Sequence, residues 1–107
     1  MPHYLIQLAY TSDAWASMVK NPQDRAEAIG PVIKRLGGKL IAAYISFGKY
    51  DTVALAELPD AVSAAALSMA AAAGGATKAI ETTPLITTQE GLEAARKAGK
   101  LGYRPTA

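Results

Sequence analysis

The run Gly48-Lys49-Tyr50-Asp51 gathers a glycine, a phenol and a carboxylate within four residues. Glycine lets a ligand approach bare backbone, and the phenol and carboxylate can bond to it. The same residues also suit a tight reversal, because Gly48 can take φ > 0 without steric cost and Asp51 can accept from N–H groups of its own turn. Tyr44 adds a second phenol just upstream, His3 is the single imidazole, and Glu57 and Glu81 are carboxylates within strand-like runs. A carboxylate desolvated in an apolar pocket has a raised pKa and can act as a general base, which makes Asp51, Glu57 and Glu81 the acid–base candidates. His3, Glu57 and Glu81 would hold a metal only by converging on one cavity, and one imidazole is a thin basis for it, since stable zinc sites take three or four protein ligands. Neither a metal nor a cofactor is therefore expected. The candidate ligand-binding set is Gly48, Tyr50, Asp51, Tyr44, His3 and Glu57, with no residue assigned to catalysis.

Composition narrows the function classes. A chain of 107 residues suffices for one core. With 50% hydrophobic and 19% charged residues it falls in the globular range. A net charge of +2 is too small to argue for nucleic acid or an anionic membrane as partner. Arg96, Lys97, Lys100 and Arg104 read as a solvated helix face and tail. The absence of cysteine excludes disulfides and thiolate chemistry. The N-terminus lacks the basic and apolar regions of a secretion signal, and the apolar run 64–73 is too short to span a membrane, so a cytoplasmic location is expected. Neither a dinucleotide-type glycine loop nor a Gly-x-Ser-x-Gly elbow occurs.

The elements that must position these residues follow from periodicity. Residues 3–10 alternate, with Tyr4, Ile6, Leu8 and Tyr10 on one face, as a strand does. Thr11-Ser12-Asp13 offers caps for a short helical turn carrying Trp15, Met18 and Val19. Asn21-Pro22 with Asp24 predicts a second helix start, followed by Ile29, Val32, Ile33 and Leu36 at helical spacing and a stop at Gly37-Gly38. Pro31 within it removes one internal hydrogen bond and is expected to bend or loosen it. Residues 39–47 and 52–58 read as strands of a hairpin around Gly48–Asp51. Asp60 caps an alanine-rich helix over 61–73, and Gly74-Gly75 closes it. Residues 77–87 form a fourth strand, whose Pro84 fits an edge position or a bulge. Thr88-Gln89-Glu90 opens an amphipathic helix through Leu92, Ala95 and Ala98, and 99–107 is a tail.

Four antiparallel strands with two helices on one face make a ferredoxin-like α+β fold. Both faces of the hairpin strands are mostly apolar, and two such sheets would associate, which predicts a homodimer or higher oligomer packed sheet to sheet.

The chain resembles GYD-domain proteins, the family called after this Gly-x-Tyr-Asp signature. The likeness is carried by the opening strand after Met1-Pro2, Arg25-Ala26-Glu27-Ala28, Leu36-Gly37-Gly38-Lys39, Gly48-Lys49-Tyr50-Asp51 and Glu57-Leu58-Pro59-Asp60. It extends over nearly the whole chain and implies one domain over 1–107. The Gly30-Pro31 pair and the long alanine tract depart from the pattern. The family is similar to the dimeric α/β-barrel superfamily, which contains monooxygenases, haem-degrading enzymes, isomerases and ligand-sensing domains. Effector domains of leucine-responsive, AsnC-type regulators carry a similar hairpin beside an effector pocket at a subunit interface, but their helix-turn-helix half is missing here. The resemblance implies a homo-oligomeric module that binds a small organic molecule, with a cofactor-independent monooxygenase or isomerase as the alternative.

Overall fold

The computed structural model describes residues 1–105, and its central strand is the first in the chain. β1 (His3–Tyr10) is followed by α1 (Ser12–Lys20), α2 (Arg25–Arg35), β2 (Lys39–Ile45), β3 (Thr52–Glu57), α3 (Ala61–Ala73), β4 (Thr77–Leu85) and α4 (Thr88–Gly99). The strands form one antiparallel sheet in the order β2-β3-β1-β4, the ferredoxin-like arrangement. β4 is an edge strand, where Pro84 is tolerated. The tail expected over 99–107 is described as far as residue 105, and positions 106–107 lie outside the described residues.

The alternation in β1 decides which face is covered. Tyr4, Ile6, Leu8 and Tyr10 are buried beneath the helices with Ala54 and Ala56 of β3, Ile33 of α2 and Ala64 of α3. Ile29 of α2, Leu36 at its C-cap, and Leu67 and Ala71 of α3 complete this layer. Transfer of such apolar area from water, at roughly 25 cal/mol per Å², is what holds the helices to the sheet. Where α2 gives way to β2, an added Cβ on Gly38 would stand 2.2 Å from the carbonyl oxygen of Glu57, so the chain crosses β3 at a distance only glycine permits.

Two local expectations are corrected. α2 starts at Arg25 and not at Asn21-Pro22: Asp24, in extended backbone, accepts from the N–H of Ala26 at 2.9 Å and supplies the cap. A carboxylate there satisfies a free helix N–H and meets the positive end of the helix dipole. α2 continues through Gly30-Pro31 to Arg35. Gly48 does not use its left-handed freedom, because positive φ occurs at Gly37, Gly75 and Gly102 among the described residues. The connection is a six-residue loop, Ser46 to Asp51, closed by a 2.8 Å bond from the N–H of Ser46 to the carbonyl of Asp51, and a loop this wide reverses without it.

α4 stands apart. Its residues are exposed apart from half-buried Gly91, and among the described residues it packs on no other element to any extent. The radius of gyration is accordingly 17.0 Å, against about 13 Å for a compact chain of this length. Among the described residues no helix is long and apolar enough to cross a membrane.

Candidate functional site

Register places three of the predicted residues, His3, Glu57 and Tyr44, on the sheet face opposite the helices. Gln7 pairs with Val53 and Glu81, Leu5 with Leu55 and Thr83, and His3 with Glu57 and Leu85. β2 adds Tyr44 opposite Val53 and Ala42 opposite Leu55. Leu5, Val53, Leu55, Ala42 and Leu85 are only half-buried, and Tyr44 is 68% exposed. An apolar centre with a polar group at each end is thus uncovered.

The hairpin end of this face holds Tyr50, whose hydroxyl donates to Glu81 Oε2 at 2.8 Å. That hydrogen bond, assisted by desolvation and the carboxylate's charge, raises the phenol above its ordinary pKa and keeps it protonated. Lys49 Nζ lies 5.9 Å from the centre of the Tyr50 ring. Gly48 is exposed, and a Cβ added to it would meet nothing within 4 Å. Neither its backbone angles nor its surroundings within one chain call for glycine.

Asp51 is tied elsewhere. Its Oδ2 accepts from the N–H of Tyr10 at 2.8 Å, and its own N–H donates to the carbonyl of Leu8 at 2.7 Å. The β1–β3 register ends at Leu8 and Thr52, so the carboxylate supplies an acceptor for the Tyr10 N–H just beyond the end of that ladder. The Asp51 side chain joins the hairpin to the end of β1, and its carboxylate is not turned back onto its own loop.

His3 and Glu57 occupy the other end of the face, with His3 Nε2 3.4 Å from Glu57 Oε1. His3 and Leu8 are five residue steps apart along β1, about 17 Å of strand at roughly 3.3 Å per residue. The candidates therefore form two groups, Gly48, Tyr50 and Tyr44 near the hairpin and His3 with Glu57 at the far end. Among the described residues no three His, Cys, Asp or Glu side chains group as metal ligands.

One polar chain on the covered face has no counterpart in the sequence reading. Arg25 Nε donates to the hydroxyl of Tyr10 at 3.2 Å, and that hydroxyl lies 2.5 Å from Thr52 Oγ1. Arg25 and Tyr10 are 15 residues apart and Tyr10 and Thr52 are 42 apart, and no local spacing announces such contacts.

This sheet, closed by helices on one side and open on the other, with the Gly-x-Tyr-Asp loop joining its second and third strands, is that of a known class. The GYD domain family matches residues 4–95, and the chain belongs to it. It is also 30% identical over 78 residues to the glutamine synthetase and cystathionine beta-lyase binding protein of Thermus thermophilus, across 73% of this chain and 82% of that protein.

Proposed function

We propose that this protein is a non-catalytic binding module that acts as a homo-oligomer, with the open sheet face as its association surface. The observation that carries this reading is the uncovered apolar centre of that face, Leu5, Val53 and Leu55 with Tyr44 beside them. An apolar patch rimmed by polar groups is the usual character of an interaction site. A second copy related by a two-fold axis would present the same residues and cover it. The unpartnered α4, with Leu92 exposed, offers a further surface for the same assembly. The relative named for binding two enzymes supports a partner-binding role, and enzymes of those two kinds are the first partners to assay.

Closing two such faces would enclose the hairpin end, where Gly48, Tyr44 and Tyr50 leave backbone and hydroxyl groups for a small organic ligand. The enzymatic alternative, a cofactor-independent monooxygenase or isomerase, retains one supporting observation: a strand carboxylate, Glu81, bonded to a tyrosine on the same face. Asp51 is less suited to act as base because its carboxylate is engaged by the Tyr10 N–H.

Analytical ultracentrifugation of the wild-type chain and of Val53→Glu tests the association surface. The wild type should sediment as a dimer or a multiple of it. The variant should become monomeric while retaining its circular dichroism, since Val53 is only half-buried within one chain. A monomeric wild type, or an oligomer indifferent to Val53→Glu, would overturn the proposal.

A further inference from the structure

We infer that the cleft between α2 and α3 binds a small amphipathic carboxylate, its apolar body lying on the sheet and its head group on the outer edge of the Arg25 guanidinium. This site is on the opposite side of the sheet from the association surface and does not depend on it.

The cleft arises from the sequence of α3. Where α3 faces α2 across the sheet it contributes Ala70 and Ala71, and beyond its end come Gly74 and Ala76, while α2 opposes them with Ala28. Methyl groups stand where longer side chains would meet and close the layer. The remaining space is about 280 Å³, predominantly apolar, with Leu8 and Ile80 of the sheet, Val32 of α2 and Leu67 of α3 among its walls. That is just under the range of roughly 300–1,000 Å³ typical of small-molecule pockets, which selects a small ligand.

Arg25 defines the head group. It lies at the edge of the cleft and also lines an adjoining recess of about 170 Å³ that Ser17, Asn21 and Gln23 make more polar. It is the one charged residue lining either space among the described residues. Its guanidinium is held in place by the Nε bond to Tyr10 and by the Tyr10 ring, whose centroid is 5.5 Å from Cζ. No carboxylate among the described residues lies within ion-pair distance of it. A half-buried guanidinium with its Nε engaged still presents N–H groups on its outer edge, the geometry that receives a carboxylate bidentately. One cation balances one negative charge, which favours a monocarboxylate over a phosphate dianion. The apolar body then occupies the cleft and the carboxylate sits at its junction with the polar recess.

Octanoate and its uncharged analogue octanamide are suitable probes, with Trp15 as reporter because its ring stacks edge-on against Tyr10 at 5.6 Å. Octanoate should bind saturably, one per chain, shift Trp15 emission and perturb the amide resonances of Ala28, Leu67 and Ala71. Octanamide should bind at least about tenfold more weakly, the loss expected for a charge-assisted hydrogen bond. Arg25→Gln should reduce octanoate affinity to that of octanamide and leave octanamide unchanged. Ala71→Met, which fills the cleft without touching Arg25, should weaken both ligands and decides the matter should Arg25→Gln fail to fold. Absence of saturable octanoate binding would overturn the inference. So would equal affinity for the two probes, indifference to Ala71→Met, or resonance changes confined to the open face around Leu5 and Val53.

Discussion

Replacing Asp51 by alanine isolates what the signature carboxylate does for the fold. Tyr10 is 2% exposed and its N–H donates to Asp51 Oδ2 at 2.8 Å, so in Asp51→Ala this donor is buried with no partner. A hydrogen bond to a charged group contributes roughly 1.5–3 kcal/mol, and an orphaned buried donor costs a similar amount, so the expected loss is about 2 kcal/mol. That is about a thirtyfold fall in the ratio of folded to unfolded chain. Asp51→Asn keeps an amide oxygen in place of the carboxylate and loses only the charge assistance, about 1 kcal/mol. Urea unfolding followed by Trp15 emission reads both variants, because Trp15 packs on Tyr10. Protomer concentration is held fixed, since association would add its own term to the midpoint. Amide exchange at Tyr10 should accelerate in the alanine variant. A loss below about 0.5 kcal/mol for Asp51→Ala, the range of a neutral surface substitution, would refute the assignment of Asp51 as the tie between hairpin and β1.

Further outcomes follow from other contacts. Gly38→Ala should cost about 3 kcal/mol or more, because its Cβ would stand 2.2 Å from the Glu57 carbonyl and 2.9 Å from Leu58 Cδ2, forcing backbone to move; thermal unfolding measures it as a drop of roughly 12 °C. Stability should also fall on acidification. Asp60 and Glu90 are held below their ordinary pKa by bonds to the N–H of Ser63 and of Thr87. Their contribution is therefore complete above the unfolded carboxylate values of about 4 and is lost as pH falls through the lower folded values. Asp60→Asn, which still caps α3, should flatten part of that acid limb in urea midpoints measured across pH.

The elements were legible where one local cause governs them. Alternation in residues 3–10, the Asp60 and Gly74-Gly75 bounds of α3 and the edge character announced by Pro84 all match the structure. Misreadings occurred where two local solutions competed. Asn21-Pro22 and Asp24 can each begin a helix, and the carboxylate prevailed. Gly48 suits a tight turn, yet the six-residue loop reverses without a positive φ there. The site was legible in composition but not in connection. Tyr50 stood out from its position in the signature, whereas its bond to Glu81, 31 residues away, required the register of β1 against β4. Arg25 was visible only as the start of a helix, because what sets it apart is the Tyr10 hydroxyl that holds it.

The sheet order also governs how the chain can fold. β1 lies between β3 and β4 and precedes both in the chain, by more than 40 and more than 65 residues respectively. Every ladder bond of the central strand is therefore a distant contact, and the entropy of closing those loops must be met before the sheet gains from pairing. During synthesis one edge of β1 stays unpaired until β4 has left the ribosome. A chain stalled before Thr77 would carry that strand with one edge unpaired, and the segment from His3 to Tyr10 is where such an intermediate would recruit a chaperone or another nascent copy.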